Sequence, residues 1–155
     1  MSLILEVLKR EEGVRLEPYK DHLGYWTVGV GHLIDRRKGG SLPAWIRASF
    51  PLEEKEVDEL LAWDVRKHGD SLDEWLGTWW RDLDEVRGAV LLSMAFQMGG
   101  GGVAGFKNTL LAVQEGRWAD AAAGMRGSLW YRQTTQRAER HARAMESGDR
   151  ASLGL

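Results

Sequence analysis

The chain has 155 residues, of which 28% are charged and 43% hydrophobic, with a formal net charge of −2, the composition of one globular domain rather than of a disordered segment. No apolar run approaches the roughly 18 residues that cross a bilayer, and the first residues lack the basic segment, apolar stretch and cleavage site of a leader, so synthesis in the cytoplasm is expected. Cysteine is absent, which leaves no disulfide or thiolate for fold or chemistry, and the mild acidity argues against a nucleic-acid binder.

Ser2 can cap a first helix on which Ile4, Val7 and Leu8 share an apolar face, and Gly13 supplies a left-handed stop. Glu12 therefore sits at a helix C-terminus, where the negative end of the macrodipole disfavours a further negative charge and keeps the carboxyl proton available. Asp21, with Gly24 three residues later, reads as a polar turn between strands, a setting that favours the ionised form. One carboxyl biased toward acid and one toward base is the pairing that glycoside hydrolysis uses. Taken singly, each is an ordinary surface acid. The β-hairpin around them adds a second signal, because alternation puts Thr27 on the face of Gly29 and Gly31, where small residues leave room for a ligand.

Gly39-Gly40-Ser41 and Pro43 break the chain before a short amphipathic piece through Trp45 and Ile46. Pro51 then precedes a helix from about Leu52 to His68, with Glu53, Glu54 and Glu56 in its first turns, where the dipole favours acids. Asp64 falls on its apolar stripe of Val57, Leu60, Leu61 and Val65, and a partly buried carboxylate needs a partner. His32 is the natural candidate. Short helices are expected beyond Gly69. The segment from Asp84 to Met98 is apolar almost all round and should form a buried axis that Gly99 ends, with the glycines to Gly102 acting as a stop and bend. No Gly-Lys-Ser/Thr follows them, so they are not read as a phosphate cradle. Thr134 can cap a last helix to Ser147, closed by Gly148. Of the eight tryptophans, Trp130 reads as core and Trp79 and Trp80 as packing where the long helix after Pro51 meets the larger helical part that follows, while Trp26, beside Thr27, is the one best placed to reach a ligand. Arg126, Arg132, Arg137, Arg140 and Arg143 read mainly as a solvated helix face. His22, His32, His68 and His141 lack metal-ligand spacing, so no metal and no cofactor are expected.

The run Glu12-Gly13-x-Arg15, followed by Asp21, Thr27 and Gly29-x-Gly31-His32, resembles the phage-type lysozymes, glycoside hydrolase family 24. Phe96-Gln97-Met98-Gly99, Gly102-Val103-Ala104-Gly105-Phe106, Trp130-Tyr131, Gln133-Thr134 and Arg137-Ala138 extend the likeness over nearly the whole chain. The resemblance implies a mostly helical α+β, lysozyme-like fold over residues 1–155, with a β-rich lobe at 13–51, a linking helix at 52–70, a helical lobe from 1–12 and 71–155, and a cleft between the lobes. It implies hydrolysis of the β-1,4 bond between N-acetylmuramic acid and N-acetylglucosamine in peptidoglycan. Glu12 would be the acid, with Asp21 and Thr27 activating water in an inverting reaction, which calls for carboxyls roughly 6.5–9.5 Å apart. Leu33, Phe96 and Thr109 would line the glycan cleft, with the pair His32 and Asp64, and Arg137 approaching Glu12, in support. Two positions depart from the family: Thr109 is usually Ser there, and Gly124 stands where an Asn touches substrate. The net acidity and a shorter segment before the linking helix also depart from it.

The resemblance further implies a monomer that stays out of the membrane, depends on a holin-type partner for release, and meets peptidoglycan in the periplasm to lyse a host. A non-catalytic peptidoglycan-binding or interaction module on the same fold is the alternative. A DNA-binding regulator built on the C-terminal arginines is a weaker one, and a prophage-borne or secreted bacteriolysin would keep the chemistry and change the role.

Overall fold

The computed structural model describes residues 2–47 and 49–155, with the side chains of Arg36, Lys38, Ala44 and Trp45 outside the described set, so the amphipathic role expected for Trp45 lies outside it too. The chain divides into two compact units, one of residues Leu8–Arg66 and one of Met1–Val7 with Lys67–Leu155, and both divisions fall inside helices.

In the Leu8–Arg66 unit, helix α1 (Leu3–Glu12) ends at Gly13, whose φ of +73° only glycine adopts without strain. Three antiparallel strands follow in the order β1 (Arg15–Lys20), β2 (Tyr25–Gly29) and β3 (His32–Lys38). The expected hairpin is thus a three-stranded meander, because two glycine-bearing turns close it: one at Gly24, with φ +87°, and one at Gly29 and Gly31, both with φ +66°. Gly31 lies in that second turn, so the alternation counted from Thr27 stops at Gly29. A short helix α2 (Ala44–Arg47) precedes α3 (Glu54–Leu76). The Glu53 N–H donates to the Glu56 carboxylate at 3.0 Å, one half of a capping box that fixes where α3 begins. Val57 and Leu60 of α3 lie against Gly29 of the sheet.

Helix α3 runs to Leu76 rather than to His68, and the glycine that stops it is Gly77, with φ +85°. Gly69 stays helical because it is wanted for its size. A Cβ there would meet the Arg81 guanidinium at 3.3 Å and the Trp80 ring at 3.7 Å, so packing overrides helix propensity. Trp80 is buried, donates its indole N–H to Asp73 at 2.9 Å and carries the Arg81 guanidinium over its ring.

The rest of the second unit is helical. Helix α4 (Glu85–Ala104) starts at Asp84, whose carboxylate accepts the Arg87 N–H. It breaks at Gly99, with φ 75° and ψ 165°, as its sequence requires, and a short helical segment continues beyond the kink. There a Cβ on Gly100 would overlap Ser71, and one on Gly101 would press on the Trp75 ring at 3.2 Å, so the glycine run permits close approach to α3. Helices α5 (Lys107–Gln114), α6 (Trp118–Arg126), α7 (Leu129–Gln133) and α8 (Thr135–Ser147) follow. Their alanines Ala121, Ala122, Ala138 and Ala142 are fully buried, which brings backbones close around Met94 and Met125. Truncating Met94 to Ala would cost about 2–5 kcal/mol. Trp130 is buried as expected and donates its indole N–H to Gln97 at 2.9 Å. Thr134 precedes α8, but its hydroxyl donates back to the Trp130 carbonyl instead of capping the helix. Among the described residues no single helix is long and apolar enough to cross a membrane.

Candidate active site

Glu12 is the last residue of α1. A Cβ on Gly31 would come within 3.3 Å of the Glu12 Oε2, so the carboxylate rests on the β2–β3 turn at the one residue type that leaves it space. Asp21 Oδ1 accepts the N–H groups of Leu23 and Tyr25, both at 2.9 Å. This Asx turn orients the carboxylate from the backbone and leaves Oδ2 without a protein partner among the described residues.

Thr27 is 4% exposed, and its hydroxyl donates to the Tyr25 carbonyl at 3.1 Å, which leaves the oxygen's lone pairs as acceptors. In the register of the sheet, Thr27 stands opposite Tyr19 on one side and Leu33 on the other. Residues directly opposite share a face, so Tyr19, Thr27 and Leu33 form one row, with Leu33 44% exposed at its edge. Tyr19 was not among the residues singled out in the sequence. Its phenol pKa is raised by burial first and then by the Glu12 charge, with Asp21 adding to the rise and Arg15, whose guanidinium lies 4.7 Å from the ring centre, opposing it. Tyr19 therefore lies within electrostatic reach of both carboxylates.

Val28 pairs with His32, so His32 leaves the sheet on the face opposite Thr27. Its Nδ1 meets Asp64 Oδ2 at 2.7 Å, with Asp64 7% exposed. The pair expected from the sequence is present and ties β3 to α3 behind the Thr27 row. Trp26 differs from expectation. As the neighbour of Thr27 it points to the other face, and its indole N–H is used by the Gly40 carbonyl at 3.1 Å.

The other expected residues belong to the second unit. Phe96 packs on the His68 ring, with centroids 4.9 Å apart. Thr109 is buried beside a pocket of about 540 Å³ that Phe106, Lys107, Gly124, Ser128 and Trp130 also line and that Phe96 does not. A Cβ on Gly124 would overlap the Thr109 Oγ1. Arg137 Nη2 donates to the Ser93 hydroxyl at 3.1 Å, and the fully buried His141 joins the same hydroxyl at 2.7 Å while donating from Nδ1 to the Arg137 carbonyl at 2.8 Å. Arg137 is thus anchored in the helical core rather than set on a solvated face. Arg126, only partly exposed, departs from that reading too, whereas Arg143 is exposed as expected. They converge on Glu139 at 2.8 and 2.7 Å, and with the Tyr131 hydroxyl they lower its pKa to about 2, the Arg126 hydrogen bond contributing most. Among the described residues no group of three or more His, Asp or Glu side chains is placed to hold a metal ion.

A carboxyl at a helix end, a second carboxylate fixed by backbone amides and a buried hydroxyl on a small sheet all lie in one unit, an arrangement that fits the lysozyme class of glycoside hydrolases. The chain belongs to the phage lysozyme family, whose pattern matches residues 9–144. It is 35% identical to probable T4-type lysozyme 1 of Dictyostelium discoideum, over 96% of both chains. It is 32% identical to the pre-baseplate central spike protein Gp5 of Enterobacteria phage T4, over 97% of this chain and 28% of that one. It is also 33% identical to peptidoglycan hydrolase gp36 of Pseudomonas phage phiKMV, over 89% of this chain and 14% of the relative.

Proposed function

We propose that the protein is a muramidase that cleaves the β-1,4 bond between N-acetylmuramic acid and N-acetylglucosamine by inversion, and that it serves host lysis. The observation that carries this reading is the joint placement of Glu12 on the Gly31 turn, Asp21 in its Asx turn and Thr27 in the central strand of the same unit. Glu12 gives its proton to the glycosidic oxygen as the bond from that oxygen to the anomeric carbon breaks. Asp21 stabilises the oxocarbenium-like charge through its free oxygen, and with Thr27 it orients the water whose oxygen bonds to the anomeric carbon. The water's proton passes to Asp21. Leu33, Phe96 and Thr109 hold the glycan. The pair His32 and Asp64 supports the sheet that carries Thr27.

The protein acts as a monomer without a cofactor, is made in the cytoplasm, and reaches the periplasm once a holin-type partner has opened the inner membrane. Peptidoglycan hydrolase gp36, named for activity on the same polymer, supports the substrate. Mass spectrometry of digested sacculi should show reducing muropeptides, and NMR of fresh products should show the α-anomer first. Anhydro products would point to a transglycosylase, and an initial β-anomer to a covalent route. A non-catalytic module would leave permeabilised Gram-negative cells turbid.

A further inference from the structure

We infer that a second concavity in the helical unit, built on Trp75, is an accessory site for the carboxylate-bearing glycan strand; this rests on the peptidoglycan reading above. Trp75, on the second half of α3, is 60% exposed, and Leu111 on α5 is 50% exposed. The Trp75 ring is not adrift. It lies on Gly101, where a Cβ would stand 3.2 Å from the indole, so one side is braced by backbone and the other is open. Trp79 lines the same concavity, its orientation fixed by an indole N–H bond to the Leu76 carbonyl at 2.9 Å. The space between these groups is about 440 Å³.

Lys107, Asn108 and Gln114 complete the lining, and among the described residues their side chains make no hydrogen bond or ion pair. Among the described residues that line it, Lys107 is the charged one. A ligand that fits must offer flat C–H faces to an indole, hydroxyl or amide groups to Asn108 and Gln114, and a negative charge to the ammonium. An N-acetylated sugar strand carrying lactyl and peptide carboxylates has all three. A folded partner protein would need roughly 800 Å² of matching surface on each side, far more than this small concavity offers.

Position strengthens the assignment. Lys107 and Asn108 line both this concavity and the Thr109 pocket. A strand seated in the Thr109 pocket can therefore run on over the start of α5 to Trp75, and a second hold on one polymer raises the effective concentration at the first.

Sedimentation with purified insoluble sacculi tests this, in a Glu12→Gln background that binds without cutting. Trp75→Ala should bind about tenfold more weakly, whereas Trp75→Phe, which keeps a flat ring, should stay within about threefold of the parent. With Glu12 intact, Trp75→Ala should slow digestion of sacculi and leave the rate on a short soluble muropeptide tetrasaccharide unchanged. The inference is overturned if Trp75→Ala sediments like the parent, if Phe is as weak as Ala, or if the tetrasaccharide rate falls equally. It is also overturned if light scattering shows a dimer that Trp75→Ala dissociates, since the patch would then be covered by a second copy. If the unmutated chain neither binds nor cuts sacculi, the peptidoglycan reading fails and takes this one with it; if it does both and Trp75 is silent, only this one fails.

Discussion

The Thr109 hydroxyl occupies the volume that a side chain at position 124 would need, so these two positions on α5 and α6 are a matched pair. The residues at 109 and 124 therefore constrain each other. A serine can turn its hydroxyl away from position 124. A threonine has fewer such rotamers, because its methyl must take one of the two remaining staggered positions.

Stability should show this coupling. Gly124→Ala alone combines a gain of about 1 kcal/mol in helix propensity with an overpacking cost of about 1–3 kcal/mol, and it should destabilise the protein. In a Thr109→Ser background the same change should stabilise by roughly 0.5–1 kcal/mol. Urea denaturation of the four proteins in the cycle reads the sign. Equal effects in both backgrounds would mean that the two sites are independent.

At the carboxyls, Glu12→Gln should lower turnover of sacculi by at least about a hundredfold with the circular dichroism spectrum unchanged, as expected when a general acid is lost. Gly31→Ala offers a different handle. Its φ of +66° strains any side chain, and the new Cβ would press on the Glu12 carboxylate at 3.3 Å. A loss of about 1 kcal/mol or more in stability should accompany a fall in kcat larger than the change in KM. Unaltered kcat in a folded Gly31→Ala protein would detach this turn from Glu12.

The pair behind the Thr27 row should respond asymmetrically. His32→Ala leaves Asp64, 7% exposed, as a buried carboxylate without its partner, at a cost of about 2–4 kcal/mol. Asp64→Asn keeps an acceptor for the imidazole and removes the charge, so it should cost less. Thermal melts at pH 7 compare the two, and the reverse order would mean that His32 contributes little to holding β3 on α3.

Features whose causes lie close together in the chain were legible in the sequence. Gly13, Gly99 and Gly148 adopt the positive φ that a stop or kink requires, and Glu12, Asp21 and Thr27 fall in one unit because two short turns connect them. What escaped depends on contacts between distant residues. Gly69 is a helix breaker by propensity, but the Trp80 and Arg81 side chains make its smallness an asset within α3. Tyr19 faces Thr27 only because β1 changes register between Arg15 and Tyr19, an irregularity that alternation cannot foresee. The C-terminal arginines look like a solvated run until α6 and α8 bring Arg126 to Glu139, 13 residues away.

That last contact sets a pH dependence. The Glu139 pKa is lowered from 4.5 to about 2, mainly by its hydrogen bond to Arg126 and also by Arg143 and the Tyr131 hydroxyl. A carboxylate depressed in the folded state contributes stability that is fully present above its unfolded pKa, near 4.5, and is lost as pH falls through about 2. The side chain is 22% exposed, so solvent screening keeps the contribution on the order of 1–2 kcal/mol. Glu139→Gln should therefore lower Tm at pH 6 and bring the variant and parent together near pH 2. High salt at pH 6 should narrow the same gap, because the arginine charges that hold Glu139 ionised are then screened. A Tm difference that stayed constant from pH 6 to pH 2 would show that Glu139 stabilises α8 by packing and not by its charge.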